Sequence, residues 1–290
     1  MSKSTCKVII PAAGLGSRLL SATKEQPKEM LPVFARGAAG ELAMKPMVQL
    51  IFEQLHNFGL RDFCFVVGRG KRAIEDHFTP DDGFLGLLKS RGKKTQALQL
   101  SEFYRRIHSS SIAWLNQSAP LGFGHAVLTA AAVSGKADVM VHAGDTLIVS
   151  PRESHLRRML KAKTQTGASA VLLLKEVEDP RQYGVAETER KDGALLVNSV
   201  VEKPKKPSGR QGLMPIYLFN HTVFGELRSV KPGEGGEIQL TDAIQRLIDR
   251  GHDVWAVRVE RNEQWLDVGT PESYWEALRK THESPSNVGR

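Results

Sequence analysis

The chain has 290 residues, 41% of them hydrophobic and 25% charged, the balance of a soluble globular protein long enough to bury a large core. Its longest apolar runs, such as 168–174, are far too short to span a membrane, and no charged start leads into an apolar stretch of the kind that marks a secretory signal, so a cytoplasmic location without membrane attachment is expected. A net charge of +8 is compatible with nucleotides or other small polyanions, with a solvated basic surface, or with nucleic acid; the last is disfavoured because aromatics are only 7% and Lys and Arg are scattered.

Residues 7–10 form a short β-branched apolar run that stops at Pro11 and reads as a buried first strand. Met47, Leu50, Ile51, Leu55 and Phe58 recur at helical spacing and end at Gly59. Strands follow at 63–67, stopped by Gly68, and more weakly at 113–115. A helix is predicted over 124–133 and a central strand over 138–142. Further strands are predicted at 169–174, 197–201, 216–219 and 254–259, and Ile238, Ala243, Ile244 and Leu247 mark a helix closed by Gly251. This alternation predicts an α/β fold with a largely parallel sheet covered on both faces. The segments 34–45, 79–94 and 203–212 read as loops. No stretch has the composition of a linker, so one domain over 1–280 is expected, with a mobile polar tail over 281–290. Cys6 and Cys64 lack any metal-ligand spacing and read as reduced core thiols.

Directly after the first strand comes Pro11-Ala12-Ala13-Gly14-Leu15-Gly16-Ser17-Arg18. Small residues let such a loop bend and point backbone N–H groups at negative charge, and Arg18 can fork onto phosphate oxygens; a plain tight turn would have the same composition. The spacing is neither a dinucleotide fingerprint nor a Walker A loop. In Gln26-Pro27-Lys28-Glu29-Met30-Leu31-Pro32, two prolines brace a lysine suited either to a triphosphate or to solvent. Asp145 lies just beyond a central strand, where α/β sheets place ligands, and Asp267 follows another apolar segment; each is a candidate carboxylate for a metal or a candidate helix cap. Glu202-Lys203 in isolation is equally a surface charge pair.

Together, the loop 11–18 and the segment 27–32 resemble the opening of bacterial glucose-1-phosphate uridylyltransferases, within the wider group of sugar-nucleotide pyrophosphorylases that includes the thymidylyltransferases. The resemblance runs from about residue 7 to 278. Gln117 with Leu121-Gly122-Phe123-Gly124-His125-Ala126 is similar to the family's base-binding segment, and Gly144-Asp145 to its metal aspartate. Tyr183-Gly184-Val185 and Val201-Glu202-Lys203-Pro204 look like its sugar-binding segments. The segment Gly236-Glu237-Ile238-Gln239-Leu240-Thr241-Asp242 is close to the uridylyltransferase form, and Trp265-Leu266-Asp267-Val268-Gly269-Thr270 to the late metal motif of the wider group.

The resemblance implies a Rossmann-like nucleotidyltransferase fold and, as partners, UTP and glucose 1-phosphate, joined with loss of pyrophosphate and without nucleic acid. It implies Mg²⁺ on Asp145 and Asp267, with Arg18 and Lys28 on the triphosphate and Lys203 on the sugar phosphate. Glu202 and Gly184 would meet the sugar. Ala12, Ala13, Gly14, Gly16, Gln117 and Gly122 would meet the nucleotide, and Glu29, where thymidylyltransferases usually carry Gln, would accept from uracil N3–H. His125 and His142 receive no acid/base role, because the attacking phosphate is already an anion. A homo-oligomer, dimer or tetramer, is implied too. Alternatives are dTTP or another sugar 1-phosphate, and an inactive regulatory subunit of the same fold. Three departures bear on specificity: 35–44 intervene before Lys45-Pro46, Gly212-Leu213-Met214-Pro215 replaces a Gly-Arg-Tyr, and the late motif follows the wider group.

Overall fold

Val8, Ile9 and Ile10 have no exposed surface, so the strand they form must lie inside a sheet covered on both sides. The computed structural model describes residues 6–191 and 194–284. Its strands are β1 (Cys6–Ala12), β2 (Pro32–Arg36), β3 (Leu42–Pro46), β4 (Asp62–Gly68), β5 (Ser111–Gln117), β6 (Asp138–His142), β7 (Thr146–Val149), β8 (Ala170–Glu176), β9 (Gly184–Lys191), β10 (Ala194–Glu202), β11 (Gln211–Phe219), β12 (Val254–Arg258) and β13 (Gln264–Asp267). Nine of them form one sheet in the order β5-β4-β1-β6-β11-β8-β12-β10-β9. The half around β1 is parallel, and β10 and β11 are the strands that run against the others. The mixed, mostly parallel Rossmann-like sheet is therefore as expected.

Alternate residues of the central strands feed two cores, one per face. Val8 and Ile10 pack with helices Met47–Phe58, Lys94–His108 and Ser154–Thr166. Ile9, Cys64 and Val66 pack with helices Phe123–Thr129, Thr222–Ser229 and Leu240–Asp249. Helix Met47–Phe58 ends where the sequence predicts, on Gly59 in the left-handed region (φ 107°). Both cysteines are buried and unpaired. No helix among the described residues is long and apolar enough to cross a membrane.

Several expected loops are structured. Residues 34–45 include most of a β2–β3 hairpin, whose turn is closed by Gly37 N–H on Glu41 O (2.9 Å). Alternation is present, with Val33 and Ala35 buried, but alanines at 35 and 43 carry little strand signal. Within 79–94 lies helix Asp82–Ser90, capped by Asp81, whose Oδ1 accepts from Phe84 N (2.8 Å); Gly83 and Gly86 disguise it, and it fully buries no residue. The loop at 203–212 gives way to β11 at Gln211. The helix predicted over 124–133 divides at Ala130 into Phe123–Thr129 and Ala131–Ser134. The tail expected from Thr281 begins inside helix Pro271–Glu283, where Thr281 is buried and its hydroxyl accepts from Phe34 N (3.2 Å); 285–290 lie outside the described residues.

Two histidines behind the sheet's central end are fully buried. His142 Nδ1–H donates to Ala143 O (2.9 Å), and His155 Nδ1 meets Ser150 Oγ (2.6 Å). Burial pushes them from 6.5 down to about 4 and about 3 respectively, so both are neutral in the fold. A depressed imidazole contributes stability that is full above its unfolded value of 6.5 and is lost as pH falls toward its folded value. The urea midpoint should accordingly fall between pH 7 and 4.5, with a cost on the order of 2–3 kcal/mol per ring near pH 4. His155→Phe should flatten that profile, and an undiminished acid loss in the variant would refute the assignment.

Candidate active site

The C-terminal ends of β1 and β6 lie side by side, and the chain leaving each enters the same cleft, where an open parallel sheet puts its ligands. After β1, Gly16 takes a left-handed conformation (φ 66°) and its carbonyl accepts from Thr23 Oγ1 (2.8 Å), which folds the loop back on itself. Lys28 then stands in a short turn Lys28–Met30 entered from Pro27 and closed by Met30 N–H on Pro27 O (2.9 Å). Its ammonium forms an ion pair with Asp145. Gly144 N–H donates to Pro11 O (3.1 Å), which fixes Asp145 against the glycine loop.

Asp267 arrives from 122 residues away through a two-stranded ribbon, β7 with β13, in which it pairs with Thr146. The Thr146 hydroxyl lies 3.4 Å from Asp145 Oδ1 and 3.3 Å from Asp267 Oδ1. The other oxygen of Asp267 accepts from Gly269 N (2.9 Å) and Ser273 Oγ (2.9 Å). Neither aspartate is a helix cap: Asp145 leads into β7, and helix Pro271–Glu283 is capped by Thr270. Burial, reinforced by the charge of Asp145, pushes Asp267 above the ordinary carboxylate range. Burial would also raise Asp145, but the Lys28 ammonium outweighs it and holds that carboxyl below its ordinary value. Lys28 is raised in turn by Asp145.

Two converging carboxylates suit a hard divalent cation. Among the described residues no group of three or more His, Cys, Asp or Glu side chains is placed to hold a metal, so a cation here would draw its remaining donors from phosphate oxygens and water. Arg18 reaches the same end of the cleft: a Cβ on Gly269 would lie 3.2 Å from Arg18 Nη2 and 2.8 Å from Asp267 Oδ2.

At the opposite wall, Gln117 ends β5 and its amide donates to Gly122 O (3.1 Å) and His125 Nδ1 (2.9 Å). His125 thus orients Gln117. Segments 121–124 and 237–239 are joined by Ile238 N–H on Leu121 O (2.8 Å) and Gly124 N–H on Ile238 O (2.9 Å). Glu202 accepts from Thr241 Oγ1 (2.6 Å), and a Cβ on Gly184 would come within 3.1 Å of both side chains. Lys203 has a left-handed backbone (φ 39°), with its N–H on Tyr183 O (3.0 Å) and its ammonium 3.9 Å from Glu202 Oε1.

One cleft of about 520 Å³ is lined by Ala13, Gly14, Gly16, Arg18, Lys28, Glu29, Gln117, Gly122, Asp145, Gly184, Glu202, Lys203 and Asp267. Ala12 does not line it and is buried beneath it as the end of β1. Glu29 differs from expectation in its pairing: it is buried with Oε2 on Lys71 Nζ (3.0 Å), so that oxygen is committed to a lysine rather than free for a base. Sequence reasoning missed Lys71, Thr146 and Thr241, none of which has a local signal; Thr241 alone falls inside a segment singled out for resemblance.

The zipper between 121–124 and 237–239 leaves no room for a methyl group. A Cβ on Gly124 would stand 2.6 Å from Ile238 O, a backbone atom that cannot swing away. On Gly122, already at φ 91°, it would stand 2.7 Å from Glu237 Cβ. Gly124→Ala should cost roughly 1–3 kcal/mol, as overpacking does, and lower the thermal midpoint. An unchanged midpoint would mean that these segments separate easily.

A family model described as nucleotidyl transferase matches residues 7–284. The chain is 36% identical over 273 residues to the UTP–glucose-1-phosphate uridylyltransferase YngB of Bacillus subtilis (strain 168), covering 93% of this chain and 86% of the relative. In three dimensions it is similar to a UDP-glucose pyrophosphorylase solved with UDP-glucose (TM-score 0.80, 28% identity, 96% of this chain and 98% of the other). It is likewise similar to a UTP-bound UGPase from Acinetobacter baumannii (TM-score 0.81, 27% identity, 97% and 94% covered). A match this long, over a cleft that gathers charged side chains from both ends of the chain, means that the protein belongs to the nucleotidyl transferase family.

Proposed function

We propose that this protein forms UDP-glucose and pyrophosphate from UTP and glucose 1-phosphate. The observation that carries the reading is the convergence of Arg18, Lys28 and the Asp145–Asp267 pair at one end of a cleft whose other walls hold Gln117 and the Glu202–Thr241 pair. Relatives that share about a third of their residues over nine-tenths of this chain carry the uridylyltransferase name, which favours UTP and glucose 1-phosphate over other pairs.

The reaction brings two anions together and then disperses charge as a bond to the α-phosphorus breaks. An oxygen of the sugar phosphate attacks that phosphorus, and the α–β oxygen leaves with pyrophosphate. No covalent enzyme intermediate and no general base are required, so positioning and charge compensation carry the rate. Backbone N–H groups of the loop 13–16 receive phosphate oxygens, and Arg18 and Lys28 balance the charge of the leaving pyrophosphate. Glu202, held by Thr241, accepts from sugar hydroxyls, and Lys203 meets the sugar phosphate. Gln117, oriented by Gly122 and His125, reads the base edge. Asp145 and Asp267 would hold Mg²⁺, which when bound neutralises charge on the phosphate oxygens. The reading includes a cytoplasmic, homo-oligomeric enzyme, for which light scattering should return the mass of a dimer or tetramer.

In a pyrophosphate-release assay over several nucleotides and sugar 1-phosphates, UTP with glucose 1-phosphate should give the highest kcat/KM. A higher value for dTTP or for another sugar would leave only the general reaction class standing.

Asp145→Asn and Asp267→Asn should each lower activity by at least about 100-fold, as loss of an electrostatic stabiliser does. Near-full activity of either variant at low Mg²⁺ would remove that aspartate from the metal site.

Charge compensated only as the α–β bond breaks shows in kcat, whereas charge that merely holds a substrate shows in KM. Lys28→Ala should therefore depress kcat, and Lys203→Ala should chiefly raise KM for glucose 1-phosphate, each by about 2–4 kcal/mol. If Lys203→Ala moved only the UTP constant and Lys28→Ala only the sugar constant, the two substrates would be placed the wrong way round.

A further inference from the structure

Lys28 makes a contact that its proposed task does not need. A side chain reserved for phosphate oxygens would be expected to stand free toward the cleft. Here the ammonium is paired with Asp145, the residue that would hold the cation. Both partners are largely sheltered, with side-chain exposures of 16% and 17%. The pairing also has a reason. Asp145 and Asp267 converge on the single hydroxyl of Thr146, and one hydroxyl proton cannot offset two carboxylates in a partly dry cleft. Asp267 is served by Gly269 N–H and Ser273 Oγ, both neutral donors. Lys28 is the cation in contact with Asp145, Arg18 stands beside Asp267 at the same end of the cleft, and Glu29 next to Lys28 is paired with Lys71. The charges thus alternate from Lys71, outside the cleft, through Glu29 and Lys28 to Asp145.

We propose that Lys28 is a stand-in for the metal: on Asp145 it offsets charge of the carboxylate pair, and a divalent cation that takes its place releases it to the triphosphate. The proposal rests on the metal reading given above. It makes Lys28 an ordering device as well as a phosphate contact. With the cation absent, the lysine is held on Asp145. With the cation present, the same carboxylate no longer needs it. The exchange has a thermodynamic consequence that is independent of turnover. The lysine and the cation compete for Asp145, so the protein without nucleotide holds a divalent ion more weakly than its two carboxylates alone would.

The test is binding of Mn²⁺ alone, without nucleotide, followed at pH 8 by electron paramagnetic resonance and calorimetry on the full chain. Lys28→Met should bind Mn²⁺ about tenfold more tightly than the unsubstituted protein, because a competing charge has been removed. Lys28→Arg keeps the charge and should stay near the unsubstituted value; circular dichroism establishes that each variant is folded, and Lys28→Gln replaces Lys28→Met should the latter fail. Equal or weaker Mn²⁺ binding by the neutral variants would overturn the exchange while leaving the metal site intact. The measurement is repeated with UTP present, because phosphate oxygens supply the cation's remaining donors. Absence of protein-bound Mn²⁺ in every form under both conditions would overturn the metal reading and the exchange with it, and Mn²⁺ binding that needs UTP but is unchanged in Lys28→Met would overturn the exchange alone.

Discussion

Two carboxylates held close together and away from bulk water are the feature around which the cleft is organised. Asp145 and Asp267 repel each other, and burial raises the cost of charging either. That the arrangement stands at all depends on what surrounds it: the Lys28 ammonium on one carboxylate, amide and hydroxyl donors on the other, and the Thr146 hydroxyl between them. The same cost makes the pair useful. A site that is electrostatically unsatisfied by neutral groups is one that a divalent ion and a polyanionic nucleotide can satisfy together.

Holding that pair requires covalently distant pieces to meet within a few tenths of an ångström. The parallel pairing of β1 with β6 sets Asp145 beside the glycine loop, and the β7–β13 ribbon brings Asp267 across from the last part of the chain. Helix Pro271–Glu283 follows that ribbon directly and packs on the β2–β3 hairpin, with Tyr274 donating to Pro32 O (2.9 Å) and Phe34 N–H to Thr281. The β2–β3 hairpin, whose second strand carries Lys45-Pro46, is thereby tied to the element that follows Asp267. The opposite wall uses a different device. Glycines at 122 and 124 let two backbones approach closely enough to hydrogen-bond, and this brings 237–241 beside the cleft so that Thr241 can hold Glu202.

Much of this was legible in order along the chain. The β-branched run at 7–10, its stop at Pro11 and the small residues after it specify a buried strand running into a tight glycine-rich turn, because each of those signals is local. The helix over 47–58 and its glycine end were equally plain, since 3.6-residue periodicity and a left-handed cap are local properties. In the hairpin at 32–46 alanines hold positions 35 and 43, and in helix Asp82–Ser90 exposed glycines at 83 and 86 lower the helical signal, so both were hidden from a local reading. Both exist because neighbouring elements cover one of their sides.

By itself, then, the sequence determined the α/β alternation, the glycine loop, and the types of side chain available for phosphate, sugar and metal. Partnership belonged to the tertiary structure. That Lys28 rests on Asp145, that Lys71 claims Glu29, that His125 aims Gln117 and that Thr241 braces Glu202 are contacts across separations of 117, 42, 8 and 39 residues. Even the shortest of these joins a strand end to a helix across a loop. An ion pair or side-chain hydrogen bond depends on distance and burial in space, and neither is encoded in the spacing of residues along a chain.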